Sequence, residues 1–247
     1  MASLTRIQLC GRVAVELEGK RLEDDLPGRQ GRLLFVYLVV NRLRPAPRDA
    51  LIEALWPDAQ PEKADSALSA LLSKLRRVVG AGSLEGRSAV RLVLPEGAWV
   101  DFEAAGAALH RAEAAIARGS HAEAWGPGRV AQHISCPGLL PGEEAPWISE
   151  LRNRLEMIHL RSLEIVAEAC LAIGGSELDT AERAARSLVG HAPYRESGYR
   201  LVMEVLARKG NDAEALRVYD QLRVLLREQL GTAPSAPTQD LHRRLLA

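Results

Sequence analysis

Ser66, Ser69 and Ser73, followed closely by Lys74, Arg76 and Arg77, are the side chains whose types and spacing could do chemistry here. That chemistry is recognition, not bond making. Hydroxyls three and four residues apart fall on one side of a helix. They are small enough to let its backbone approach another surface. Lysine and arginine at the margin suit phosphate oxygens and guanine edges. Arg48 and Arg91 are further cations on flanking elements. No catalytic constellation competes. Gly82-Ser83-Leu84-Glu85-Gly86 runs into Arg87-Ser88, not Lys-Ser/Thr, and neither G-x-S-x-G nor H-E-x-x-H occurs. His110, His121, His133, His159, His191 and His242 lack metal-ligand spacing. Asp24-Asp25 and Glu143-Glu144 read as solvated or capping charges. Cys10, Cys136 and Cys170 are an odd, scattered set, as expected of reduced thiols. The sequence therefore predicts no enzyme, no cofactor and no metal.

Pro61–Gly80 positions the serines. Leu68, Leu71, Leu72, Leu75 and Val79 make one apolar helical stripe. The opposite face carries Ser66, Ser69, Ala70, Ser73 and Arg77, flanked by Lys74 and Arg76. Upstream, residues 4–26 alternate like short antiparallel strands. Residues 30–41 read as a buried helix, and Asp49 can cap a second helix through Leu51, Ile52 and Leu55. After Gly80, residues 90–94 and 98–100 flank Pro95-Glu96-Gly97, predicting a hairpin. Strands, two short helices, a longer helix and a hairpin follow the logic of a winged helix-turn-helix.

Those residues resemble a known family. The carriers are Gly28-Arg29 with Leu33-Leu34, Arg48-Asp49 followed by Leu51 and Leu55-Trp56-Pro57, and Leu75-Arg76-Arg77. The segment is similar to the OmpR-like DNA-binding domain of the Streptomyces antibiotic regulatory protein (SARP) family. The wing departs from that pattern: Ala89-Val90 stands before Arg91-Leu92 where the family commonly has Gly-Tyr.

From Phe102 on, the pattern is helical. Residues 104–119 form an Ala-rich helix, residues 121–134 a poorer one interrupted at Gly126-Pro127-Gly128, and residues 143–173 a long one. An offset of 34 then places Ala181 on Ala215, Ala185 on Tyr219 and Leu188 on Leu222, a tetratricopeptide-like period. Residues 192–246 resemble the bacterial transcriptional activator domain that follows the winged helix in SARP regulators. The matching residues are Pro193, Arg195-Glu196, Met203, Gly210, Glu214-Ala215-Leu216, Tyr219, Glu228-Gln229-Leu230-Gly231 and Leu241-His242-Arg243-Arg244-Leu245. Pro146-Trp147 and Arg154-Leu155 match its upstream part. The family includes larger members with an ATPase and sensor region after these domains, and none is expected within residues 1–247.

The expected architecture is mainly α: a winged-helix domain over residues 1–101, then an all-α helical-repeat domain over 102–247. The 247 residues are 47% hydrophobic with only 4% aromatics, which suits packed helices. Net charge is zero, but residues 1–100 hold 15 Lys and Arg against 12 Asp and Glu, a local +3. An excess that small predicts modest affinity per copy, which two copies on tandem half-sites would raise. No apolar stretch is long enough for a signal peptide or a membrane span, so a cytoplasmic protein is expected. The DNA-contact set expected is Arg48, Ser66, Ser69, Ser73, Lys74, Arg76, Arg77 and Arg91, with double-stranded DNA as partner. The resemblance implies dimerisation on direct repeats and contact with RNA polymerase. The alternative is an interaction scaffold or ligand-sensing regulator whose winged helix binds protein.

Overall fold

The computed structural model describes residues 5–247, with Ala81 described by its backbone alone; Leu4, where the expected strand region starts, lies outside them. The chain divides into two compact units. One takes the described residues to Ala104 together with Ile134–Leu155, and the other takes Ala105–His133 with Glu156–Ala247.

The first unit opens with β1 (Arg6–Gln8), β2 (Ala14–Leu17) and β3 (Lys20–Arg21), an antiparallel series as the alternation predicts. Three helices follow: α1 (Gly28–Val40), α2 (Arg48–Leu55) and α3 (Ala64–Val79). Short β4 (Ala46–Pro47) sits between α1 and α2. The helices bury Leu34, Phe35 and Leu38 from α1, Leu51 and Leu55 from α2, and Leu68, Leu72 and Leu75 from α3 in one core. Every one of these side chains is at most 3% exposed, so the burial of apolar area is what seats α3.

The hairpin differs from expectation. Its strands are β5 (Leu84–Glu85) and β6 (Ala89–Leu92), paired Leu84 to Leu92 and Glu85 to Arg91. The turn between them depends on Gly86, at φ +90°, where an added Cβ would sit 1.9 Å from the Ala89 carbonyl oxygen. β6 also pairs with β4, giving the order β4-β6-β5. β7 (Trp99–Val100), expected opposite residues 90–94, instead lies parallel to β1, with Val100 beside Ile7. Both side chains are buried, and that burial outweighs the local preference for a hairpin across Pro95–Gly97.

Asp101 follows β7 directly and closes this sheet from within. Its carboxylate accepts the Leu9 N–H at 2.9 Å, the Cys10 N–H at 2.8 Å and the Phe102 N–H at 2.7 Å. Burial pushes the Asp101 carboxyl above the ordinary carboxylate range, and these three donors offset the push only in part. Residues 134–155 pack on the same unit. Trp147 lies edge-on to Tyr37 at 5.2 Å between ring centres and donates its indole N–H to the Ala54 carbonyl at 3.0 Å.

The remaining helices are α4 (Asp101–Ala117), α5 (His121–Ser135), α6 (Pro146–Ile173), α7 (Leu178–His191), α8 (Glu196–Arg208), α9 (Asp212–Leu230) and α10 (Ala236–Leu246). α5 runs unbroken through Pro127, against the interruption expected there. The neighbouring Gly128 lets its backbone pack close to α6, where an added Cβ would meet Val166 at 3.2 Å and Ile165 at 3.3 Å. That packing holds the helix although Pro127 lacks an N–H to donate to the ladder. The offset of 34 is realised: Ala181, Ala185 and Leu188 of α7, and Ala215, Tyr219 and Leu222 of α9, are buried in one core.

Glu164 is the buried charge of this second unit, its side chain 7% exposed. It accepts from Arg161 at 2.9 Å and from Arg195 at 2.7 Å. Burial alone would raise its pKa, but the neighbouring Ser197 hydroxyl and the two guanidiniums outweigh that and hold it below the usual glutamate range. Glu164→Gln is expected to lower unfolding free energy by about 3 kcal/mol at neutral pH. Because the folded pKa is depressed, the difference is full above the ordinary glutamate range. It is lost as pH falls through the lower folded pKa. Denaturant titrations at neutral and acidic pH check this, and equal stability at neutral pH would refute it.

Candidate nucleic-acid interface

α3 presents the face its sequence predicts. Leu68, Leu72, Leu75 and Val79 point into the core, and Ser66, Ser69, Ser73, Lys74 and Arg77 are exposed. Asp65 sits in its first turn, and Arg76 and Arg77 in its last, each matching the helix dipole. Thus the apolar stripe that anchors the helix also fixes which residues face outward.

The expected cations do not share one role. Arg48 is turned toward α3. Its Nε donates to Asp65 Oδ1 at 2.7 Å, and its Nη2 donates to the Asp65 carbonyl at 3.1 Å and to Ser69 Oγ at 2.7 Å. Arg76 Nη2 donates to the Gly86 carbonyl at 3.2 Å, tying the end of α3 to the hairpin turn. Arg91 pairs with Glu85 across the hairpin at 2.6 Å. Lys74 and Arg77 carry no such internal bond among the described residues and stand in solvent.

Sequence reasoning passed over Arg87, which is exposed at the tip of the hairpin between Gly86 and Ser88. A cation inside a Gly-x-Ser turn was the available signal. It also passed over Asp65 and Glu85, whose importance comes only from the arginines they meet. The face as built offers hydroxyls in its middle and exposed cations at its basic end and at the hairpin tip. Such a surface can read base edges and neutralise phosphates.

The comparison with known proteins names the fold. A family model described as the bacterial transcriptional activator domain matches residues 100–246. The chain belongs to the bacterial transcriptional activator domain family. Preceded by a winged helix, the domain gives the chain the make-up of a SARP-type transcriptional regulator. Regulatory protein AfsR of Streptomyces coelicolor is 34% identical over 98% of this chain, which spans 24% of AfsR. AfsR of Streptomyces griseus is 31% identical over 88% of the chain and 22% of AfsR. Transcriptional regulatory protein EmbR of Mycobacterium tuberculosis is 26% identical over 96% of the chain and 62% of EmbR. The chain thus spans about a quarter of AfsR and under two thirds of EmbR. The structure of M. tuberculosis EmbR in complex with a low-affinity phosphopeptide has the same fold, with a TM-score of 0.86 at 23% identity over 98% of this chain and 65% of that one. These relatives are named as regulatory proteins, not enzymes. No described helix of the chain is long and apolar enough to cross a membrane.

Proposed function

We propose that this activator-domain chain is a sequence-specific double-stranded-DNA-binding regulator that reads a major groove with α3. The observation that carries this reading is the exposed face of α3, where Ser66, Ser69 and Ser73 are followed by Lys74 and Arg77 that no carboxylate of the described residues neutralises. Arg87 at the hairpin tip adds a phosphate contact beside it. Arg48, Arg76 and Arg91 shape this surface from behind. The helical-repeat unit serves dimerisation on direct repeats and contact with RNA polymerase, as the family resemblance implies. Activity is that of a cytoplasmic protein.

Fluorescence anisotropy on duplexes drawn from around its own gene, at two salt concentrations, tests the proposal. Selective binding that weakens as salt rises, with a log–log slope of roughly −0.9 per phosphate contacted, is the expected result. Salt-independent or sequence-blind binding to every duplex would refute it and point to a winged helix that binds protein.

A further inference from the structure

We infer that Arg48 is a positioning residue that makes the Ser69 hydroxyl an outward-facing donor, so that Ser69 selects a base carrying a major-groove acceptor. The inference rests on α3 reading a major groove and deepens that reading.

Arg48 is fixed from behind. Its N–H donates to the Ser88 carbonyl at 3.2 Å, and Pro47 before it pairs with Ala89. Its side chain is only 23% exposed, against 72% for Asp65. From this position the guanidinium spans the first turn of α3 through Asp65 Oδ1, the Asp65 carbonyl and Ser69 Oγ. Its Nε and Nη2 donors thus face protein, and its charge offsets the Asp65 carboxylate that would otherwise repel a nearby phosphate.

A serine within a helix ordinarily turns its hydroxyl proton back to the carbonyl four residues earlier. For Ser69 that carbonyl belongs to Asp65. A carbonyl oxygen has two lone pairs. The helical ladder uses one for the Ser69 N–H, and Arg48 Nη2 uses the other at 3.1 Å. The same Nη2 donates to Ser69 Oγ at 2.7 Å, so the oxygen already accepts on its inner side. With that carbonyl filled and Oγ already accepting, the hydroxyl is biased to donate away from the helix. A freely turning hydroxyl can serve any base; one held as a donor suits guanine O6 or N7, thymine O4 or adenine N7, and opposes the amino groups of cytosine and adenine.

In vitro selection of duplex sites, followed by anisotropy on the selected site, tests this with the full chain and with Ser69→Ala, Arg48→Lys and Arg48→Ala. The wild type is expected to prefer an acceptor base over cytosine at one position by roughly fivefold, the worth of one hydrogen bond. Ser69→Ala and Arg48→Lys should both flatten that position and leave the salt slope unchanged, since lysine keeps the charge without the planar fork. Ser69 is exposed, so its alanine variant reports even if the arginine variants fold poorly. Retained preference in Ser69→Ala or Arg48→Lys would overturn the inference alone. So would a salt slope reduced by about one in Arg48→Ala, the mark of a lost phosphate contact. A wild type that selects no site would overturn the DNA reading, and this inference with it.

Discussion

Replacing Lys74 and Arg77 together by alanine is expected to weaken binding to a selected duplex about 100-fold and to cut the salt slope by about two. Each is an exposed cation on the outward face of α3, with no internal partner among the described residues. Each should therefore contribute its charge to phosphate or base and little to the fold. Arg77→Ala alone should lose about tenfold, near 1.4 kcal/mol. Thermal unfolding should be unchanged, because surface substitutions away from buried networks shift stability by less than about 0.5 kcal/mol. Arg76→Ala provides the contrast. It removes the bond to the Gly86 carbonyl, so its effect should come through a loosened hairpin. Anisotropy with the folded double variant decides the matter, and wild-type affinity would remove α3 from the interface.

The largest stability effect is expected at Asp101. Asp101→Ala leaves the N–H groups of Leu9, Cys10 and Phe102 without their acceptor, inside a region where all three residues are at most 8% exposed. Each buried donor left unpaired costs about 1–3 kcal/mol, and some repair by water brings the expected total to about 3–5 kcal/mol. Asp101→Asn keeps one oxygen but turns an amide donor toward N–H donors, so it should recover less than half. Guanidinium titrations followed by tryptophan fluorescence suit this unit, which holds Trp56, Trp99 and Trp147. A loss below 1 kcal/mol in the alanine variant would contradict the assignment. The pH dependence separates Asp101 from Glu164. Asp101 has a raised folded pKa, so on acidification the folded state takes its proton before the unfolded chain does, and this group opposes acid unfolding. Glu164, with a lowered pKa, promotes it.

Local periodicity by itself determined much of this protein. The leucines of α3 repeat at helical spacing, so both the helix and its outward serines were legible. The 34-residue offset was legible for the same reason, since each buried position recurs at one register in α7 and α9. The tertiary structure decided what depends on residues far apart in the chain. Arg48 meets an aspartate 17 residues on, and Asp101 meets residues just after β1, more than 90 positions back. Whether an arginine points to solvent or to a carboxylate is set by such partners, and nothing in its neighbours' spacing records them. Hence Arg48, Arg76 and Arg91 read like Lys74 and Arg77 in the sequence, yet fold into internal bonds. The same holds for β7, whose flanking turn pointed to β6 while burial of Val100 beside Ile7 placed it on β1. It holds too for α5, which Gly126-Pro127-Gly128 would break in isolation and which packing against α6 keeps whole.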